Sequence, residues 1–254
     1  MNYKHLFVLF CLLFLSTCKQ KNNLQLTKIE GKQINISDSI KIDPEIDAII
    51  KPYREHVNKN LDSVIAYAPA TYSKKDGTFN TAIGNLFADA VWSQSNPVFN
   101  SRTNKNIDMV LLNHGGIRAI ISKGNITPRT AYKIMPFENS VVVAAMKGKT
   151  ITDSLVRYLQ KAKKAHPISG LNITLDSNFN LIKATINNKE IEANKTYYVA
   201  TNDYLYNGGD NMSFFKTNDS LYSLNYKIRN ALLDYFIKKD TINPVIDNRF
   251  IQTK

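Results

Sequence analysis

Three loops of ligand-type residues each border an apolar run of strand length, and this recurrence constrains the fold more than any other feature. Ile107–Leu112 runs into Asn113-His114-Gly115-Gly116-Ile117-Arg118. Paired glycines directly after a strand let the backbone turn tightly and approach a ligand closely. Arg118 offers a fixed fork of donors suited to phosphate or carboxylate. Pro136-Phe137-Glu138-Asn139 borders the valine-rich run Ser140–Met146, and Thr196–Thr201 leads into Asn202–Asp210, which carries Tyr204, Gly208, Gly209 and Asp210. Loops of this kind at three strand ends predict one site assembled from distant segments.

The intervening sequence supplies helices. Asp43 and Pro44 open a helical stretch with Ile46, Ile50, Tyr53, Val57 and Leu61 on one face, which Pro52 should kink or split. Thr81–Gln94 reads as a helix burying Ile83, Phe87, Ala90 and Val91, and Gly84 within it implies close packing or ligand approach. A short helix is expected after Ile126-Thr127-Pro128. Another begins at Thr150 with Asp153 placed as in a loose capping box. Leu171–Leu175, Leu181–Ile186 and Thr196–Thr201 alternate as strands, with Asn187-Asn188 as a turn, and a last helix covers about 225–239. Leu24–Ile36 alternates around Glu30-Gly31-Lys32 and reads as a hairpin. This order predicts an α/β domain, α+β-like, with a mixed sheet flanked by helices. No Pro/Ser/Gly-rich linker interrupts residues 43–250, so one domain over 43–254 is expected.

The net charge of +12 favours anionic partners, yet no Arg/Lys stripe interleaved with aromatics points to nucleic acid. At the N-terminus, Lys4 precedes the apolar run Leu6–Leu15, of secretory-signal length rather than membrane-spanning length. The run ends Leu15-Ser16-Thr17-Cys18, which resembles a bacterial lipoprotein cleavage site. That resemblance implies a signal peptide over 1–17, a lipid on Cys18, a tether and hairpin over 18–42, and a chain exported to the periplasmic or cell-surface face of a membrane. With Cys11 gone, the mature chain keeps one cysteine and no internal disulfide.

Together the three loops are similar to the signatures of the 5′-nucleotidase C-terminal domain, in matching order and spacing. Ile83-Gly84-Asn85-Leu86-Phe87-Ala88-Asp89-Ala90 resembles the helix that precedes them in that family. The resemblance implies that Phe137 and Tyr204 sandwich a base and that Asp210, held by Gly208 and Gly209, accepts from the ribose hydroxyls. It implies further that Arg118 faces the phosphate, while Asn113 and Asn139 line the pocket. Two departures stand out. An arginine and a glutamate usual before the Gly-Asn-Leu helix fall near Gly77 and Asn80, and His114 stands where glycine is usual.

In that family a separate N-terminal metallophosphoesterase domain carries two metals. The four histidines here, His5, His56, His114 and His166, follow no metal-ligand spacing. Nor is there a Gly-x-Ser-x-Gly elbow or a glycine-rich phosphate-cradling loop. The expectation is a nucleoside- or nucleoside-monophosphate-binding chain without cofactor or catalytic residues of its own. It would be the substrate-binding half of a split 5′-nucleotidase in nucleotide catabolism, with the divalent metal pair in a partner chain. A non-catalytic nucleoside-binding lipoprotein for scavenging or sensing, or an interaction module, are the alternatives.

Overall fold

A computed structural model describes Tyr3 and residues 26–253. Apart from Tyr3, the stretch expected to be a signal peptide lies outside the described residues, as does Cys18. The chain divides into two units at Ile49/Ile50, the second holding the loops singled out above. Within the first unit residues 26–36 form no strand, so the hairpin is not formed there. Leu26, Ile29, Ile34 and Ile36 are all exposed; an isolated two-stranded hairpin is marginal in water, and alternation alone does not supply the buried face it needs.

Helix α1 (Pro44–Leu61) forms, with Asp43 Oδ1 accepting from the Glu45 amide at 2.9 Å. It is one continuous helix through Pro52, and none of its residues is buried. There follow β1 (Ala66–Ala68), α2 (Ala82–Thr103), β2 (Met109–Leu111), β3 (Gly124–Ile126), α3 (Pro128–Ile134) and β4 (Ser140–Lys147). Next come α4 (Gly148–Thr150), a π-helical stretch (Ile151–Val156), α5 (Arg157–Ala162), β5 (Ile168–Ser169), β6 (Leu171–Leu175), β7 (Leu181–Ile186) and β8 (Lys189–Glu190). The chain ends with β9 (Thr196–Asn202), α6 (Asp203–Tyr206), β10 (Ser220–Lys227), α7 (Ile228–Lys239) and β11 (Phe250–Gln252).

The five-stranded sheet runs β10-β4-β9-β2-β5, and a four-stranded sheet runs β11-β6-β7-β8. Both are mixed, since β2 pairs parallel with β9 while β4 pairs antiparallel with it, and β11 pairs parallel with β6. The mixed α/β architecture is therefore the one expected. Val141, Val143 and Ala200 point into a core shared with α2 and α7, whereas Ala144, Met146 and Val199 face the second core around β6. Period-2 alternation with both faces covered explains why β4 is almost continuously apolar.

Helix α2 begins where expected, with Thr81 Oγ1 accepting from the Gly84 amide at 3.1 Å. A Cβ on Gly84 would come within 2.9 Å of that oxygen, so close packing accounts for the glycine. The helix then runs past Gln94 to Thr103, because Ser95 and Phe99 are buried on the same face and Asn104 closes it in the left-handed region. At the start of the π-helical stretch, Asp153 makes no cap; it pairs with Lys149 at 2.8 Å. Asn187 and Asn188 turn β7 into β8 with φ of 50° and 62°, as an Asn-Asn hairpin turn requires. The last helix starts later than expected, because Asn225–Lys227 complete β10.

One ion cluster joins the sheets through α2. Arg249 donates to Asp89 at 2.9 and 3.1 Å, to Asp247 at 2.7 Å and to the Ile168 carbonyl at 2.8 Å. Removing the guanidinium leaves two partly buried carboxylates facing each other. Arg249→Met should cost about 3 kcal/mol of stability; urea unfolding of the variant and wild type checks this, and coincident curves would refute it.

Candidate functional site

The strand directions decide where the loops go. Because β2 and β9 are parallel neighbours, the loops after them leave the same edge of the sheet. Strand β4 runs against β9, so the turn that precedes it sits at that edge too, with Val141 paired to Asn202. The three loops therefore meet beyond the carboxyl ends of parallel strands, a common location for ligand sites in such sheets.

There they line one cleft of about 270 Å³, formed by Asn113, Gly115, Gly116, Arg118, Met135, Phe137, Asn139, Tyr204 and Asp210. Asn113, Arg118, Phe137, Asn139, Tyr204 and Asp210 are thus together, whereas Gly208 and Gly209 shape the third loop without lining the cleft and His114 lines the neighbouring cavity. Phe137 and Tyr204 are 43% and 47% exposed, unusual for aromatics beside so apolar a sheet. The Arg118 guanidinium stands 5.9 Å from the centre of the Phe137 ring. Asn113 lies against the paired glycines, and a Cβ on Gly116 would come within 2.9 Å of its Oδ1.

The third loop is held by its own polar groups. Asn202 caps α6 by accepting from the Leu205 amide at 2.8 Å. Gly208 takes φ 93°, a region open to glycine, and Asp210 follows at φ 51°. Gly209 packs flat against Tyr204, and any Cβ there would run into the ring. The glycines thus serve the aromatic as well as the aspartate. Tyr204 Oη donates to Asp210 Oδ1 at 3.0 Å, which pushes the phenol pKa up.

Residues 63–217 match the family described as 5′-nucleotidase, C-terminal domain. The chain belongs to this family. It is 24% identical over 238 residues to an apyrase of Tabanus yao, covering 84% of this chain and 42% of that protein. It is 23% identical over 248 residues to the 5′-nucleotidase of Bos taurus, covering 86% and 42%. The 5′-nucleotidase precursor of Thermus thermophilus shares its fold, with TM-score 0.68 and 22% identity over 82% of this chain and 43% of that one. The chain thus spans about two-fifths of the length of these relatives.

Among the described residues of this 5′-nucleotidase C-terminal domain, no group of three His, Cys, Asp or Glu side chains is placed to hold a metal. The described residues therefore do not fit a catalytic metal pair. At the positions where the family's arginine and glutamate were expected, Gly77 closes against the Asn80 carbonyl. Asn80, buried, donates to the carbonyls of Asp247 and Phe250 at 3.0 and 2.9 Å. That stretch here ties the start of α2 to the C-terminal segment.

The sequence reading gave no site role to several supporting residues. Arg229, at the start of α7, is 5% exposed and donates to the carbonyls of Met135 and Phe137, both at 3.3 Å, and to the Glu138 carboxylate. Its guanidinium also stacks 4.1 Å from the centre of Tyr132. It fixes the turn that presents Phe137, and its pairing holds the Glu138 pKa below the usual carboxylate range. Asp203 accepts from Asn139 Nδ2 at 3.0 Å and from the Tyr204 amide at 2.9 Å, linking second loop to third. Tyr158 donates to the Asp210 carbonyl at 2.8 Å. An arginine inside an apolar helix stripe was the available signal for Arg229; the other two carry none.

His166 lies behind the first loop, 4% exposed, its Nδ1 accepting from the His114 amide at 3.3 Å. Burial lowers its pKa from 6.5 to about 4. Between those values the unfolded chain takes up a proton that the folded chain excludes. Stability is therefore undiminished above pH 6.5 and is lost as pH falls toward 4, by about 3 kcal/mol from this group. His166→Asn, which keeps an acceptor for the His114 amide, should flatten that part of the stability–pH curve. Equal slopes for variant and wild type in urea unfolding would contradict it.

Proposed function

We propose that this chain is the substrate-binding half of a split 5′-nucleotidase. It holds a nucleoside or nucleoside monophosphate while a separate metallophosphoesterase chain brings the metals that cleave the phosphate. The observation that carries the reading is the cleft in which Phe137 and Tyr204, distant in sequence, stand exposed beside Asp210 and Arg118. Exposed rings have little reason to be there for packing, and a base between two rings gains about 1–3 kcal/mol from each.

In this reading Asp210 accepts from the ribose hydroxyls, with Tyr204 Oη and the Tyr158 bond fixing its place. Arg118 meets the 5′-phosphate with two parallel donors. Asn113 orients the nucleotide across the glycine pair, and Asn139, braced by Asp203, closes the wall. With no second arginine near Gly77, phosphate is held less firmly than base. The N-terminal lipid on Cys18 and export to a bacterial membrane surface belong to the same proposal, and would keep the binding half where its partner works.

Two measurements test it. The purified chain should bind adenosine or AMP, and Phe137→Ala and Tyr204→Ala should each weaken binding about tenfold or more. Calorimetry with unchanged affinity in both variants would remove the aromatic sandwich. Phosphate release from AMP with manganese or zinc should be absent for the chain alone and appear when a metallophosphoesterase chain is added. Turnover by the chain alone would overturn the division of labour.

A further inference from the structure

Helix α1 carries an apolar stripe that is left open to solvent. Ile46, Ile50, Tyr53 and Val57 are each at least 45% exposed, and no residue of the helix is buried. Helices in proteins owe most of their stability to packing an apolar face rather than to propensity, and Pro52 costs this one a backbone hydrogen bond besides. A helix with that handicap and no covered face calls for a partner.

The rotation of the helix is set from its flank. Arg129, at the start of α3, donates to Asn58 Oδ1 at 2.8 Å and to the two Asp62 carboxylate oxygens at 2.6 and 3.0 Å. The Asp62 amide donates to the Asn58 carbonyl at 2.9 Å, so the helical turn continues through both anchors. At 3.6 residues per turn, Asn58 and Asp62 lie roughly 120° round the helix from the middle of the stripe. The clamp therefore holds the helix without covering its apolar side chains.

The spacing says what kind of surface fits. The four side chains fall within roughly 60° of arc, the width of a coiled-coil seam rather than of a face laid on a domain core. Their intervals run four, three, four, and so read the same in either direction. A two-fold axis through the middle of the helix therefore sets Ile46 against Val57 of a second copy and Ile50 against its Tyr53, each contact made twice. Pro52 points away from the seam at that crossing. Glu45, Asp47 and Glu55 balance Lys51, Arg54 and Lys59, so α1 has no excess positive charge to draw it to an anionic lipid surface. We propose that α1 is a self-association surface, pairing antiparallel with α1 of a second copy of this chain. Two such stripes bury on the order of 1,000 Å² together, the lower bound for a specific interface, so the dimer forms reversibly. It stands independently of the nucleoside reading of the cleft.

Sedimentation equilibrium of the full chain should show a monomer–dimer transition with a dissociation constant on the order of 10 μM. Ile50→Glu, which puts a charge into the seam, should weaken it about tenfold or more, with the fold verified by circular dichroism. Ile46→Lys and Val57→Glu should each weaken association alone. An equimolar mixture of those two should restore it, because the antiparallel seam then sets lysine against glutamate. A chain that stays monomeric up to about 100 μM overturns the proposal. A dimer indifferent to Ile50→Glu also overturns it, since the contact then lies elsewhere, and a mixture that fails to recover overturns the antiparallel pairing. Co-sedimentation of a monomeric chain with phosphatidylcholine vesicles, abolished by Ile50→Glu, assigns the stripe to lipid instead.

Discussion

Strand β9 hydrogen-bonds on one side to β2, which runs with it, and on the other to β4, which runs against it. Reverse either direction and one loop of the site would leave the opposite edge of the sheet, about a strand length away. The pairing of β4 with β9 is seven residues long, so its register is strongly held, and Val141 opposite Asn202 brings the Phe137 turn level with the start of α6. Both faces of these strands are buried, one against α2 and α7 and the other against the core around β6. A one-residue slip would exchange the two faces and break both cores at once. The cleft inherits its geometry from that register.

Its walls are then secured by polar contacts within the protein. Arg229 reaches from α7 to two carbonyls and a carboxylate of the Phe137 turn, while the Ile228 amide donates to the Asn139 carbonyl at 3.0 Å. Asp203 bridges Asn139 to the backbone of Tyr204, so second and third loops cannot move independently. Tyr158 and Tyr204 bond Asp210 through its carbonyl and its carboxylate respectively. The two rings stay exposed because the backbone beneath them is fixed rather than because they are packed. A platform of that kind loses little conformational entropy when a planar ligand enters.

Much of this was legible in the amino-acid sequence. The valine run of β4, the glycine pair after β2 and the Asn-Gly-Gly-Asp close of the third loop each carry a local physical signature. Where the reading failed, the cause is also local. The alternation at 26–36 specified a strand period without a partner to bury it, and the helix from Thr81 was read only to Gln94 although Ser95 and Phe99 continue its buried face. Arg229 drew no notice in the sequence because its partners, the carbonyls of a distant turn, are invisible to a scan of neighbours.

The sequence by itself determined which residues could serve a ligand, since side-chain chemistry and backbone permission at glycine are properties of single positions and short runs. Only the tertiary structure decided that those residues share one cleft, that Asp210 also borders a second cavity, and that the ring of His166 is buried behind the first loop. Strand direction and register are settled by burial summed over the whole sheet, and no stretch of the chain read alone contains that sum.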